Sequence, residues 1–316
     1  MRCKELSSAA DIASAAGLSV RAHEGLRARL PFLPVRSEDD LRPRIEWMTR
    51  KGVVLGLFDA ARLQAFLGAF PIENFRNAGA GSVGPDWCHG ASRGIGLGEA
   101  CRLLYRELAP RLLSLGCPIH AFSFYDSESE AVDAMELTGF GCVVLDAARP
   151  TAELLEELPS VSGGVAVRRA GPEDATELAR LDAGLAAHIA ASPVSMPNTR
   201  GRGAAEWAAW LSEADHIGLL ALRGGRIVGF IKAQEPQFDV SYAVHDASTL
   251  AINGMYVEAA SRRTGVGCRL LGALARGAAA AGKTVVSVDF ETTNLEAYGF
   301  WTRWFKPVTW SLERRV

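Results

Sequence analysis

The chain is predicted to fold as an α+β protein built twice over, each half a mixed β-sheet flanked by helices. Three observations predict it. A length of 316 residues exceeds one ordinary core and points to about two domains. Three short patterns recur in the same order: Arg62-Leu-Gln-Ala-Phe-Leu67 with Arg226-Ile-Val-Gly-Phe-Ile231, 164 residues apart; Asp11-Ile-Ala-Ser-Ala15 with Asp174-Ala-Thr-Glu-Leu178, 163 apart; and Arg93-Gly-Ile-Gly-Leu-Gly98 with Arg262-Arg-Thr-Gly-Val-Gly267, 169 apart. Between these patterns, strand-like apolar runs alternate with stretches of helical periodicity, which is the layer pattern of such folds.

In the first half a short strand precedes a helix opening at Asp11. The run Val53-Val-Leu-Gly-Leu-Phe58 then leads into Arg62, and reads as a hairpin. After Arg93–Gly98 comes a helix with Leu103, Leu104, Leu108 and Leu112 as its apolar stripe. The stretch 147–164 is bracketed by prolines and ends in Ser/Gly residues, as a linker with a short helix would. The domain boundary is therefore expected near Ser160, giving domains 1–159 and 160–316. In the second half Gly164–Arg168 is a strand and Pro172–Ala191 a helix. Trp207, Trp210 and Leu211 mark a second helix by their i, i+3, i+4 spacing. A hairpin follows (Ile217–Leu222, then Arg226 onward), and then a strand ending at Val257. After a glycine turn come a helix Cys268–Ala281, a strand Thr284–Phe290, a helix from Asn294 and a last strand through Val308–Leu312.

Composition bounds the function. Hydrophobic residues make up 48% and charged residues 22%, so a buried core is available. The formal charge of -2 provides no general attraction to nucleic acid or to an anionic membrane, so any anion site must be built locally and small-molecule partners are expected. The six cysteines lie far apart with no CxxC pair, and no apolar run reaches about 18 residues, which together predict a cytoplasmic protein with no membrane partner. The six histidines are scattered without metal-ligand spacing, so no metal is expected.

The order Ile252-Asn-Gly-Met-Tyr-Val257, glycine turn, helix is what aims several free backbone N–H groups at one anion. The turn is not a nucleotide P-loop, because no Lys-Ser/Thr follows the last glycine. It resembles the R/Q-x-x-G-x-G/A pyrophosphate signature of the GNAT acyl-CoA N-acyltransferases. Downstream, Asn294-Leu-Glu-Ala297-Tyr-Gly-Phe300-Trp301 is similar to that superfamily's N-x-x-A-x-x-F-Y segment. Leu185–Pro193, Val288–Glu291 and Arg303–Val308 extend the resemblance to a set of bacterial tandem, that is duplicated, GNAT proteins.

The resemblance implies a splayed sheet in each half and acetyl-CoA, or another acyl-CoA, as cofactor. Pantetheine would run beside Met255, Tyr256 and Val257, and the pyrophosphate would rest on Arg262, Arg263, Thr264, Gly265, Val266, Gly267 and Cys268. Asn294, Ala297 and Trp301 would belong to the same site. In the first half Arg93, Gly94, Ile95, Gly96, Leu97 and Gly98 would hold a CoA phosphate. The later segment there has Ala134-Met135 where the family has its aromatic pair, so proton delivery from that position is lost.

Departures from the family limit the assignment of chemistry. The tyrosine that protonates the departing thiolate in many relatives is Trp301 here, and an indole N–H is no proton source near neutral pH. Tyr298, one turn earlier, is the nearest phenol, with a core-packing role as its alternative. Glu291, which shares a strand face with Asp289, is the candidate general base, with a salt-bridged or capping carboxylate as its alternative. Cys268 reads either as a helix-end thiolate or as a small packing residue, and His188 as an acceptor-side group or a structural one. The expected function is N-acyl transfer to the amine of a small molecule by the second half, in a monomer or homodimer; the alternative is a catalytically silent acyl-CoA-binding or interaction protein.

Overall fold

The computed structural model describes residues 1–159, 164–196, 198–237 and 240–316. In chain order the elements are β1 (Arg2–Glu5), α1 (Ala9–Arg29), α2 (Glu38–Lys51), β2 (Val53–Asp59), β3 (Arg62–Ile72), β4 (Gly81–Gly84), β5 (His89–Ala91), α3 (Leu97–Ser114), β6 (Ile119–Tyr125), α4 (Ser129–Glu136), β7 (Gly141–Pro150), α5 (Thr151–Glu157), β8 (Val165–Arg169), α6 (Ala175–Ala190), α7 (Ala204–Leu211), β9 (Ile217–Arg223), β10 (Arg226–Gln234), β11 (Thr249–Val257), α8 (Val266–Ala280), β12 (Val285–Glu291), α9 (Leu295–Trp304) and β13 (Lys306–Arg315). No described helix is long and apolar enough to cross a membrane.

The chain divides into two compact units. The first comprises Met1–Asp146, Ser241–Ala243 and Pro307–Val316, and the second Ala147–Val240 and Val244–Lys306. The boundary expected near Ser160 lies outside the described residues. Residues 147–150, expected to open a linker, are instead the end of β7.

In the first unit the strand order is β1-β2-β3-β4-β6-β13-β7, with β5 paired to β3. Ser8 starts α1 by accepting a hydrogen bond from the Asp11 N–H, and Ser37 and Asp40 form a reciprocal capping box at the start of α2. Helices cover both faces of the β2–β3 hairpin, so its strands are apolar on both sides instead of alternating. Leu55, Leu57, Ala65 and Leu67 pack with Leu104, Leu108 and Leu112 of α3, while Val54 and Phe66 pack with Leu18, Leu41, Ile45 and Met48 of α1 and α2. Strand β4 runs parallel to β6 only from Gly81↔Ile119 to Gly84↔Phe122.

Gly98 opens α3 where α4 crosses it. A Cβ at Gly98 would lie 2.5 Å from the Glu130 carbonyl oxygen and 3.1 Å from Ala134 Cβ. Gly98→Ala is therefore expected to lower stability by about 1–3 kcal/mol through overpacking, as measured by urea denaturation.

In the second unit the order is β12-β11-β10-β9-β8, antiparallel except for the parallel β11–β12 pair. The helices α6 and α7 pack Leu178, Leu181, Trp207 and Trp210 against Leu220 and Phe230. Both indoles are satisfied: Trp207 donates to Asp182 Oδ2 at 3.2 Å and Trp210 to Gln234 Oε1 at 2.9 Å. Two features open a cleft. The β11–β12 register stops at Ile252↔Val288, so Asn253–Val257 continue with β10 as their only paired neighbour among the described residues. At the same point the β10–β11 register shifts, from Ala233↔Ile252 to Lys232↔Gly254, which leaves Asn253 as the extra residue of a bulge. The sheet thus splays from Asn253 onward, alongside Met255–Val257.

Candidate functional site

The glycine turn follows β11 directly. Two left-handed residues, Arg263 (φ 58°) and Gly265 (φ 86°), swing the chain from the end of β11 into α8. Gly265 is the residue before the helix and brings no capping side chain. The first backbone N–H to bond back is that of Arg269, to the Gly265 carbonyl at 3.0 Å. The N–H groups of Val266, Gly267 and Cys268 have no acceptor among the described residues. With the positive end of the helix behind them, they form a ready anion cradle. A Cβ on Gly267 would lie 3.1 Å from Phe300 Cε2 and 3.7 Å from Met255 Cε, so the bare backbone lets both side chains close on the cradle.

The residues around this cradle take separate roles. Arg262 braces the site: its Nε donates to the Val257 carbonyl at 3.0 Å, an Nη pairs with Glu296, and the guanidinium lies 5.6 Å from the Tyr256 ring centre. The Tyr256 hydroxyl lies where a Cβ on Gly184 would stand 2.9 Å away, so that glycine admits the phenol against α6. The Thr264 hydroxyl donates to the Ser261 carbonyl at 2.7 Å and accepts from Arg223 at 2.8 Å. Burial pushes the Cys268 thiol above its usual range, only partly opposed by Arg303. The packing reading of Cys268 is thus the one its surroundings favour.

The Asn294–Trp301 segment divides the same way. Asn294 is buried and caps α9, its Oδ1 accepting from the Ala297 N–H at 3.2 Å. His188 Nε2 stands 3.4 Å from the same oxygen and 3.9 Å from the Glu296 carboxylate, tying α6 to the start of α9. Trp301, expected in the cofactor site, is 5% exposed and wedged between Phe300 and Phe305 at ring distances of 4.8 and 5.6 Å. It is a core residue because its position on α9 faces the packed side.

Trp301→Phe is accordingly expected to cost about 1–3 kcal/mol of stability and to change any transfer rate only modestly, a split read by thermal denaturation and by turnover per folded molecule.

Glu291 ends β12 half-buried, and Asp289 on the same face is exposed. Ser287, on the same face, is 2% exposed, and its hydroxyl has no hydrogen-bond partner among the described residues. Tyr298 is 38% exposed and sets its ring edge-on to Phe290 at 6.1 Å. Phe290 leaves β12 on the face opposite Glu291, so the carboxylate and the phenol flank the strand end from opposite sides.

The first unit repeats the turn and fills it. Gly96 precedes α3 with ordinary extended backbone, and the Leu97 N–H is already bonded to Glu130 Oε1 at 3.0 Å. A Cβ on Gly96 would meet Glu130 Oε2 at 3.4 Å, and the Ile95 N–H is bonded to the Ser92 carbonyl. The expectation that Arg93–Gly98 hold a phosphate therefore meets a carboxylate of the chain itself in that place. Where β4 leaves β6, His89 is 1% exposed, bonded to Glu128 at 2.6 Å, and packed on Phe124 and Tyr125 at ring distances of 4.9 and 5.5 Å. The split that is open in the second unit is occupied here by side chains.

Sequence reasoning missed Glu130, Gly184, Arg223 and the bulge at Asn253. For Glu130 alone a signal existed, a carboxylate in the first turn of α4.

Residues 187–305 match the model of the acetyltransferase (GNAT) family. Among solved structures, the fold is similar to a GCN5-related N-acetyltransferase from Sphaerobacter thermophilus, with 16% identity, coverage of 99% of this chain and 95% of that one, and a TM-score of 0.61. It is also similar to a GNAT-family acetyltransferase from Colwellia psychrerythraea, with 13% identity, coverage of 99% and 98%, and a TM-score of 0.51. At these identities the likeness is one of fold. A comparison with curated proteins returned no match.

Proposed function

We propose that the chain, whose residues 187–305 match the acetyltransferase (GNAT) family, is an acyltransferase that transfers the acetyl group of acetyl-CoA to the amine of a small molecule, with the chemistry confined to the second unit. The observation that carries this reading is the contrast between the two turns. In the second unit three backbone N–H groups stand free at the head of α8, beside a strand edge left open by the splay. In the first unit Glu130 and the His89–Glu128 pair fill the corresponding places.

The chain's own groups suit the steps such a transfer needs. The amine nitrogen attacks the thioester carbonyl, a C–N bond forms and the C–S bond breaks. Glu291, at the mouth of the splay, takes the proton that the attacking amine sheds. The departing thiolate leaves the same tetrahedral carbon that the amine attacks, so it takes its proton at that centre, from water entering the open splay. Tyr298, packed edge-on to Phe290, is the nearest phenol and the candidate donor to be tested. The open edge of β11 at Met255–Val257 offers main-chain groups to an extended pantetheine, in the manner of strand addition. All six cysteines are free thiols, which suits a cytoplasmic enzyme.

Two measurements test the reading. Native mass spectrometry with acetyl-CoA is expected to show one CoA per chain; two would mean that the first unit also binds. A thiol-release assay over a panel of primary amines is expected to find at least one acceptor, and the absence of any release above hydrolysis, with CoA bound, would favour the catalytically silent alternative.

A further inference from the structure

In the second unit, the sheet and the far half of α8 do not close on each other. Ala273, Gly277 and Ala281, spaced one helical turn apart, face Ile217 and Leu219 of β9 and Leu250 of β11. Their short side chains leave a cavity of about 270 Å³ between helix and strands. A Cβ on Gly277 would meet nothing within 4 Å, and Ile217 and Leu219 stay half-buried beneath the gap. Gly277 stands about 16 Å along α8 from Val266, at roughly 1.5 Å per residue, so the cavity is separate from the N–H cradle.

Charges of both signs border the cavity. Lys283 Nζ donates to Glu235 and to the Ala247 carbonyl, both at 2.7 Å, so that pair is closed on itself. Arg169 and Asp215 line the same cavity, and neither has an ion-pair partner among the described residues. Arg169 is nonetheless held in place. It sits opposite Leu219 in the β8–β9 register, and its Nη2 donates to the His216 carbonyl at 3.0 Å, one residue along the chain from Asp215. A guanidinium and a carboxylate thus flank one apolar cavity without neutralising each other.

We propose that this cavity binds an apolar α-amino acid, with its carboxylate on Arg169, its ammonium on Asp215 and its side chain on Ile217, Leu219 and Leu250. Three features select that class. The volume falls just below the roughly 300–1,000 Å³ of sites for drug-sized ligands, which suits a molecule of amino-acid size. The opposite charges on the rim favour a zwitterion: a plain carboxylate brings like charge to Asp215, and a plain amine brings it to Arg169. The floor is aliphatic, so it rewards burial of an apolar side chain and offers a polar one no partner. None of these residues belongs to the glycine turn, so the inference stands apart from the acetyl-CoA reading.

The test is calorimetric titration of the full chain with L-leucine, L-methionine and L-phenylalanine. At least one is expected to saturate a single site and to bind about tenfold or more tightly than glycine, than its own deaminated acid and than its own decarboxylated amine. Arg169→Gln and Asp215→Asn should each weaken that binding about tenfold, and because both side chains are exposed the thermal midpoint should stay at the wild-type value. Gly277→Leu should abolish binding by filling the cavity, in a protein that stays folded because leucine suits a helix better than glycine does. Saturating acetyl-CoA should leave the affinity unchanged. Saturable binding of none of the three amino acids overturns the proposal, as does equal affinity for the deaminated acid or the amine, or affinity retained in the folded Gly277→Leu variant. Displacement by acetyl-CoA places the amino acid in the transfer cleft and overturns the cavity as its site, while leaving the acetyl-CoA reading intact.

Discussion

Gly267→Trp is expected to abolish acyl-CoA binding, raising Kd by about 100-fold or more. The reason is that Gly267 contributes one of three free N–H groups and has no side chain to fend off a ligand. A Cβ there already lies 3.1 Å from Phe300 and 3.7 Å from Met255, so an indole has no room except in the cradle itself. Losing two charge-assisted hydrogen bonds at about 1.5–3 kcal/mol each is worth roughly a 10²–10⁴-fold change in Kd. Because the same contact also presses on Phe300, Gly267→Ala serves as a milder companion, expected to weaken binding while keeping the thermal midpoint near that of the wild type. The matched change in the first unit is Gly96→Trp. Its Cβ meets only Glu130 Oε2, at 3.4 Å, and the Leu97 N–H beside it is already engaged. That variant is expected to leave CoA affinity and stoichiometry unchanged. If Gly96→Trp removes bound CoA and Gly267→Trp does not, the two units have exchanged roles; if neither does, the pyrophosphate assignment to the turn is wrong.

What could be read from the sequence was local. The hairpins β2–β3 and β9–β10 were legible because each joins two apolar runs through a few turn residues, and the observed registers agree. The turn at 262–267 was legible because left-handed backbone at residue 265 and close approach at residue 267 both call for glycine. What escaped depends on residues far apart in the chain. Glu130 reaches Leu97 only because α4 crosses the start of α3, and no periodicity announces that crossing. Trp301 carries the spacing of a cleft residue, yet packing against Phe305 decides that it is core. Arg223 and Arg269 become neighbours through the β8–β9 register, to which neither residue's local sequence points. The last strand pairs with β6 of the first unit, although the order of the duplicated motifs assigns it to the second.

Glu291→Gln is expected to lower kcat for amine acetylation about 100-fold, within the range for loss of a general base, with the Kd for acetyl-CoA unchanged. Glutamine keeps the size and the hydrogen-bonding reach of the side chain and removes only its ability to take a proton. The informative control is Asp289→Asn. Asp289 shares the face of β12 but is exposed, two residues short of the strand end, where the cleft opens. A base acting by position should make the first change costly and the second mild. Tyr298→Phe forms the third arm: removing a phenol that protonates the thiolate slows the chemical step, whereas removing one that only packs on Phe290 leaves the rate as it was. In single-turnover experiments with the acceptor found by the amine panel, Glu291→Gln should slow acetyl transfer at every pH at which the wild type is active. Equal losses from Glu291→Gln and Asp289→Asn would mean that both act through the charge of the strand face, and a negligible loss from Glu291→Gln would place the base elsewhere in the cleft.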